Sequence, residues 1–164
     1  MPVDSNGKTF DLSAARYMQT YLTFHSQSLL LTGFQKGEKL NVAPTGDIVT
    51  VQQTFEGDGM FFISDDHTGN VNLTTVPSSH INNLFQYLLD FMNSADISDP
   101  SQDPTFMLKS INRLTGRVIH AENCLFSGQP QEQDNDGANT LAWKALSGNC
   151  FVTRPTPDEI ALLQ

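Results

Sequence analysis

The sequence contains one clear amphipathic helix, which follows two strand-like segments between residues 60 and 92. Met60–Ser64 and Asn70–Val76 have the aromatic and β-branched composition of strands, and polar turn residues separate them. Apolar residues then recur at intervals of three and four, which places six of them on one helical face: Ile81, Leu84, Phe85, Leu88, Leu89 and Met92. This spacing predicts a helix over Ile81–Met92 whose apolar face covers one side of a sheet.

The rest of the chain has the period and composition of strands joined by turns. Alternating or β-branched runs predict strands at seven further places: Tyr17–Phe24, Ser28–Thr32, Leu40–Val42, Ile48–Phe55, Phe106–Ile111, Gly116–Phe126 and Thr140–Thr153. Three of these stay open: Leu12–Phe24 also fits a helix face, Leu40–Val42 is a short strand or a loop, and Thr140–Thr153 is one strand or a pair. Strands and helices do not alternate, so a parallel α/β sheet is not indicated. The predicted class is mainly β, with two packed antiparallel sheets in a sandwich or barrel and one flanking helix.

The length of 164 residues and the lack of a repeat or linker predict a single domain over 1–164. The ends of the chain, about 1–11 and about 154–164, are predicted to be flexible arms. Two long polar loops, 94–104 and 127–139, interrupt the strands. Loops of this length in a compact domain are usually functional or become ordered by a partner.

The net charge of −9 is unevenly distributed along the chain. No Lys or Arg occurs between Leu40 and Leu108, whereas nine acids in this segment account for the whole net charge. A nucleic-acid-binding surface needs clustered cations to displace counterions, so this balance argues against one. Two interpretations stay open, an ordinary solvated face and a surface that repels a polyanion.

No catalytic or metal-binding pattern emerges from the candidate residues. Asp65-Asp66-His67 and Asp134-Asn135-Asp136-Gly137 are more typical of polar turns than of cation sites. Cys124 and Cys150 lie in apolar strand-like runs and are expected to be reduced and buried. His120 and Cys124 would share one face of a strand but lie about 13 Å apart, too far for a nucleophile and its base. We therefore predict no enzymatic activity, no cofactor and no metal.

Targeting signals are also not visible in the sequence. The first residues lack the basic and apolar regions of a signal peptide. The longest apolar runs are far shorter than a membrane span. We expect a soluble protein without membrane association, made in a cytoplasm.

The segment Asp66–Thr75 carries a recognisable pattern. It consists of Asp-His-Thr-Gly-Asn-Val-Asn-Leu-Thr-Thr and leads through Pro77 and Ser78 into the predicted helix. This is similar to the D-x-[ST]-G-x-V-x-[IL]-T run of phage tail tube proteins, which form the inner tube of contractile-tailed particles.

The order of elements extends this resemblance over about Ser28 to Val152. The other matching parts are Ser28–Phe34, Ile48–Phe55 with the Gly57-Asp58-Gly59 turn, Phe106–Asn112, and the hairpin Arg117–Phe126 that Leu114-Thr115-Gly116 opens. The chain departs from the family pattern in three places, one of which is the N-terminal section before Ser28, which does not align with the family. In the other two, Arg113 occupies the position of the Asp in the family's D-L-x-G turn, and the last third of the chain, with its acidic loop Gln131–Asp136, has no clear counterpart in the family.

The resemblance implies a structural virion protein that forms the tail tube. Six copies would form a ring whose inner sheets close into one β-barrel around a lumen, and the rings would stack. The tail sheath protein would lie outside, baseplate initiator proteins would start assembly, and DNA and the tape-measure protein would pass through without specific binding. The expected location is the virion tail, with assembly in the host cytoplasm. The secreted tube of a type VI secretion system shares this fold and is an alternative.

The acidic segment indicates which residues would line such a lumen. We expect some of five acids before the helix to face it: Asp47, Glu56, Asp58, Asp65 and Asp66. Strand register decides which of them point inward, because a slip of one residue exchanges the two faces. An acidic wall without cations would let DNA pass without binding its phosphates.

A ligand-binding module is the alternative from a different class. A β-sandwich could hold a sugar or calcium through the polar loops 94–104 and 127–139, and calcium would then raise its melting temperature. A hydrolase is disfavoured, since the sequence offers no nucleophile and base that can be brought together.

Overall fold

The computed structural model describes residues 18–34, 40–113, 115–132 and 140–154. The predicted N-terminal arm, 1–11, and all of the predicted C-terminal arm 154–164 except Arg154 lie outside the described residues, as does 133–139 of the second polar loop. Within the described ranges, one α-helix, α1 (Ile81–Ser94), and a short 3-10 turn (Pro100–Gln102) accompany the strands. The described strands are β1 (Met18–Phe24), β2 (Gln27–Leu30), β3 (Leu40–Pro44), β4 (Val49–Gln53), β5 (Gly59–Ile63), β6 (Gly69–Thr75), β7 (Phe106–Asn112), β8 (Val118–Phe126) and β9 (Leu141–Thr153).

Seven strands form one antiparallel sheet in the order β2-β1-β7-β8-β9-β6-β3, and β4 and β5 form a separate antiparallel hairpin. The predicted class, mainly β with two antiparallel sheets and one flanking helix, is confirmed. The large sheet ends at β2 and β3 and is not closed into a barrel. The helix covers its core face, while every residue of β4 and β5 is exposed.

The core lies between α1 and the large sheet. Ile81, Phe85, Leu88 and Leu89 are buried on the helix, and Leu84 and Met92 pack against the same cluster while partly exposed. The Phe85 ring is the centre of an aromatic group, with its centroid 5.5 Å from that of Phe126 and 5.6 Å from that of Trp143. The apolar periodicity of the sequence thus corresponds to the buried stripe of this helix.

A single amide joins the start of α1 to the sheet. Asn82 Oδ1 accepts hydrogen bonds from Thr75 Oγ1 at 2.5 Å and from Trp143 Nε1 at 3.1 Å. Its Nδ2 donates to the carbonyl oxygens of Val76 at 2.9 Å and Pro77 at 3.1 Å. Four bonds from one side chain fix the helix start relative to β6 and β9.

Replacing Asn82 by Ala should destabilise the domain by about 1–3 kcal/mol, because the buried indole N–H and the Thr75 hydroxyl lose their common acceptor. Urea unfolding followed by circular dichroism measures the change. Asn83→Ala is the matched control, since Asn83 is exposed on the same helix and Ala favours the helical state. Equal stability of the two variants would contradict the role of Asn82.

A bulge in β8 changes the expected placement of His120 and Cys124. Phe106 and Leu108 are two residues apart on β7, but their partners on β8, Cys124 and Ala121, are three apart. Asn123 supplies the extra residue with a φ of 52°. Cys124 is therefore buried on the core face of the sheet, as Ala121 is. His120 lies on the opposite face and stacks on Phe151, with the two ring centroids 4.5 Å apart. The expectation that His120 and Cys124 share one face is wrong, because simple alternation does not allow for the inserted residue.

Candidate assembly surface

The hairpin β4–β5 protrudes from the edge of the sheet formed by β3 and β6. It follows Pro44, the last residue of β3, and the chain re-enters the sheet at Gly69. Its tight turn is held by Thr54 N–H donating to Asp58 O at 2.6 Å, with Gly57 at a φ of 93°. A two-stranded hairpin of this kind is only marginally stable alone in water, so its environment matters.

One face of this hairpin is exposed and is apolar at two of its three cross-strand pairs; the third pair on this face, Gln53 with Gly59, is polar and lies next to the turn. The two apolar pairs are Val49 with Ile63 and Val51 with Phe61. Val51, Phe61 and Ile63 are 63%, 71% and 77% exposed. The other face pairs Thr50 with Phe62 and Gln52 with Met60 and is mixed. Contiguous exposed apolar surface on a small domain marks an interaction site, so we define the apolar face by Val49, Val51, Phe61 and Ile63.

The five predicted lumen residues all lie next to this hairpin. Asp47 precedes β4, Glu56 and Asp58 belong to the turn, and Asp65 and Asp66 follow β5. All five are exposed, and none lies on a strand of the large sheet. The structure places them at the two ends of one hairpin, two in its turn and three at its base; their orientation toward a lumen stays a prediction.

The D-x-T-G motif anchors the protrusion to the sheet. Asp66 Oδ1 accepts from Thr68 N–H at 3.0 Å and from Thr68 Oγ1 at 2.7 Å. These bonds, the side-chain one foremost, lower the pKa of the Asp66 carboxyl. Thr68 O in turn accepts from Thr45 N–H at 3.0 Å, and His67 O accepts from Cys150 N–H at 2.8 Å. The motif therefore ties the base of the hairpin to β9.

Gly69 in this motif is required by close packing. A Cβ at Gly69 would lie 2.5 Å from Cys150 Sγ and 2.9 Å from the Ala43 carbonyl oxygen. Both distances are below normal contact, and the second involves the backbone of the neighbouring strand. The chain can pass between β3 and β9 here only without a side chain.

Gly69→Ala should therefore destabilise the protein by about 1–3 kcal/mol through overpacking. Thermal unfolding by calorimetry measures the effect. Gly128→Ala is the control, because a Cβ at Gly128 would have open space around it. A Gly69 variant as stable as the control would show that β3 and β9 separate freely at this point.

The titratable side chains do not assemble a reaction centre within the described ranges. Burial foremost raises the pKa of the Cys124 thiol to about 12, which keeps it protonated and unreactive. Burial and then the charge of Lys109 lower the pKa of His120. No group of three or more His, Cys, Asp or Glu that could hold a metal occurs in the part of the chain that the structure describes.

The uncovered face of the large sheet is a second exposed surface. It includes a cross-strand row of Tyr21, Lys109, His120 and Phe151 on adjacent strands. Lys144 is also exposed on β9, at the position opposite Asn72. This face is therefore mixed in character and carries cations, in contrast to the acidic hairpin.

The sequence pattern predicted β4 and β5 but not their separation from the core. The signal was present in Met60-Phe61-Phe62-Ile63, which is apolar at adjacent positions and thus lacks the alternation of a half-buried strand. Such a run is typical of a strand buried on both sides. In the isolated chain nothing among the described residues buries it.

Solved structures resemble this fold, whereas no family model and no curated protein matches the sequence. The tube-terminating cap of the anti-feeding prophage superposes with a TM-score of 0.54 at 9% identity, over 94% of this chain and 100% of that chain. A chain of the sheath–tube complex of the PVC extracellular contractile injection system in the extended state has a TM-score of 0.54 at 8% identity, over 87% of this chain and 91% of that chain. A chain of the anti-feeding prophage baseplate has a TM-score of 0.55 at 11% identity, over 89% of this chain and 98% of that chain.

These likenesses extend over most of both chains, so they concern the whole domain. At such low identity they show the fold alone. The resemblance to tail tube proteins that the Asp66–Thr75 motif indicated is confirmed at this level: the chain has the fold of tube, cap and baseplate components of contractile injection systems. Among the described helices, none is long and apolar enough to cross a membrane.

Proposed function

We propose that this chain is a structural, non-enzymatic tube protein of a contractile-tailed phage or a related injection particle. Six copies form a ring, and stacked rings form the tube in the virion tail. The observation that carries the proposal is the exposed apolar face of the β4–β5 hairpin in a domain with the fold of tube components. A monomer gains nothing from exposing such a face, whereas a subunit covers it on assembly.

The two open edges of the large sheet support the same proposal. Among the described residues, β2 and β3 each present backbone groups with no neighbouring strand beyond them. Leu29 and Leu30 on β2 are half exposed, at 50% and 43%. Open edges of this kind are a liability in a monomer. In a ring, the edge of one subunit pairs with that of the next and the sheets become continuous.

The proposal assigns the hairpin acids to the conduit. The uncovered sheet face carries Lys109 and Lys144, so it is less suited to an acidic lining than the residues near the hairpin. Asp47, Glu56, Asp58, Asp65 and Asp66 lie in a segment without Lys or Arg, and their charge would repel DNA phosphates. DNA and a tape-measure protein would then pass without specific binding.

Partners follow from the same assembly. The tail sheath surrounds the tube, and baseplate initiator proteins start its assembly. Assembly takes place in the host cytoplasm. The known structures that share the fold are named as a tube-terminating cap, a sheath–tube complex and a baseplate, which supports this assignment.

Sedimentation velocity over a concentration series tests the proposal. We expect a monomer at low concentration and a hexamer or multiples of it as concentration rises, with cross-linking that stops at six copies per ring. A protein that stays monomeric at millimolar concentration, also with sheath and baseplate partners added, would overturn the proposal.

A further inference from the structure

The large sheet has an arginine-rich end. Val118 on β8 pairs with both Ile111 on β7 and Thr153 on β9, so these residues form one row. Just beyond this row lie three exposed cations: Arg113, Arg117 and Arg154. The described residues contain two other Lys or Arg, both on strands of the sheet. We call these three residues the arginine end.

The opposite end of β7 is acidic. The chain reaches Phe106, the first residue of β7, through a loop that contains Asp96, Asp99 and Asp103 and no cation. His25 in the β1–β2 turn contacts this loop, with its Nε2 at 2.7 Å from Asp103 O. We call the three aspartates the acidic loop. β7 separates it from the arginine end by six residue steps, or about 20 Å.

Each aspartate of the acidic loop is fixed by the same local pattern. Asp96 Oδ1 accepts from Ser98 N–H at 3.1 Å and Oγ at 2.7 Å. Asp99 Oδ1 accepts from the backbone N–H and the hydroxyl of Ser101 at 3.0 and 2.8 Å. Asp103 Oδ1 accepts from the same two groups of Thr105 at 3.0 and 2.8 Å. These bonds lower the pKa of all three carboxyls, so they stay ionised at neutral and mildly acidic pH.

A charge distribution of this kind favours contact between unlike ends of two copies. Resting on the proposed tube function, we infer that the arginine end of one copy binds the acidic loop of the copy stacked next to it. Because the two patches differ, the contact is heterologous and can repeat along an axis without closing on itself. Complementary charge also disfavours the reversed orientation, in which like charges meet.

Complementation between two variants tests the inference. Arg113→Glu/Arg117→Glu removes the basic surface and keeps the acidic loop. Asp96→Asn/Asp99→Asn/Asp103→Asn removes the acidic charge, while each amide oxygen can still accept the Ser or Thr bonds that hold the loop. Lys109→Glu/Lys144→Glu is the control, since it changes the net charge as much as the arginine variant does. Circular dichroism verifies that each variant is folded.

We expect each interface variant alone to form single rings, with stacking weakened by about tenfold or more at 0.05 M NaCl. Mixed in equal amounts, the two variants should form pairs of rings and no longer stacks, because only one complementary contact remains. The control should stack like the wild type. Sedimentation velocity distinguishes rings, pairs and stacks.

Two results would overturn the inference while leaving the tube proposal intact. One is wild-type stacking by both interface variants, and the other is a mixture that remains single rings. Failure of the wild type to form rings or stacks under any of these conditions would overturn both.

Discussion

Val49→Lys/Val51→Lys is expected to abolish assembly while leaving the domain folded. Val49 and Val51 form half of the apolar face of the hairpin and are 42% and 63% exposed in the single chain. A lysine at either position remains solvated in the monomer, so the free energy of unfolding should change little. In the assembled state the same two charges would be buried without partners, which is strongly unfavourable. Sedimentation velocity should show monomers only.

Thr50→Lys/Gln52→Lys is the matched control for this effect. Thr50 and Gln52 lie on the same strand and point to the mixed face of the hairpin. The added charge is identical, and the effect on the strand is similar. We expect this variant to assemble. Loss of assembly in both variants to the same degree would show that added charge, and not the apolar face, is responsible.

Phe85→Ala is expected to have the largest effect on stability, about 3–5 kcal/mol. Phe85 has no exposed surface, and its ring contacts those of Phe126 and Trp143 where α1 meets the sheet. Removing it leaves a cavity between the helix and β8 and β9. A loss of this size is a large part of the total stability of an ordinary domain. Urea unfolding measures it through the midpoint and the slope.

Tyr87→Ala provides the control on the same helix. Tyr87 is 56% exposed, so its removal should change stability by about 0.5 kcal/mol. If both variants lost the same stability, α1 would contribute through its helical structure and not through the packing of Phe85.

The periodic elements of this fold are predictable from the sequence. All nine predicted strand segments overlap an observed strand, and the helix begins at Ile81 as the apolar spacing predicts. The reason is physical: Phe85 and Leu88 repeat at helical spacing because both must reach the core. The Asp66–Thr75 motif likewise follows from close packing at Gly69 and the turn that Asp66 holds.

Long-range features are not predictable in this way. The sequence does not indicate whether Val51 and Phe61 are covered by the same chain or by another, since both cases require apolar side chains. The bulge at Asn123 reverses the face of His120, and a polar residue within a strand gives no reliable sign of it. The positions of the hairpin acids at the ends of β4 and β5 follow from chain order, but the exposure of both strands on every residue is not visible in the sequence pattern.

The arginine end shows a similar limit. Arg113 and Arg117 flank one turn, so their proximity follows from the sequence. Arg154 joins them only because Thr153 pairs with Val118 across the β8–β9 ladder. The separation of this end from the acidic loop follows from the length and direction of β7.

Negative-stain electron microscopy of the purified wild-type protein, imaged beside the Val49→Lys/Val51→Lys variant, tests the tube assignment most directly. We expect rings with a central lumen, and stacks of such rings at higher concentration, for the wild type and neither for the variant. A field of single small particles for both proteins at every concentration would contradict it.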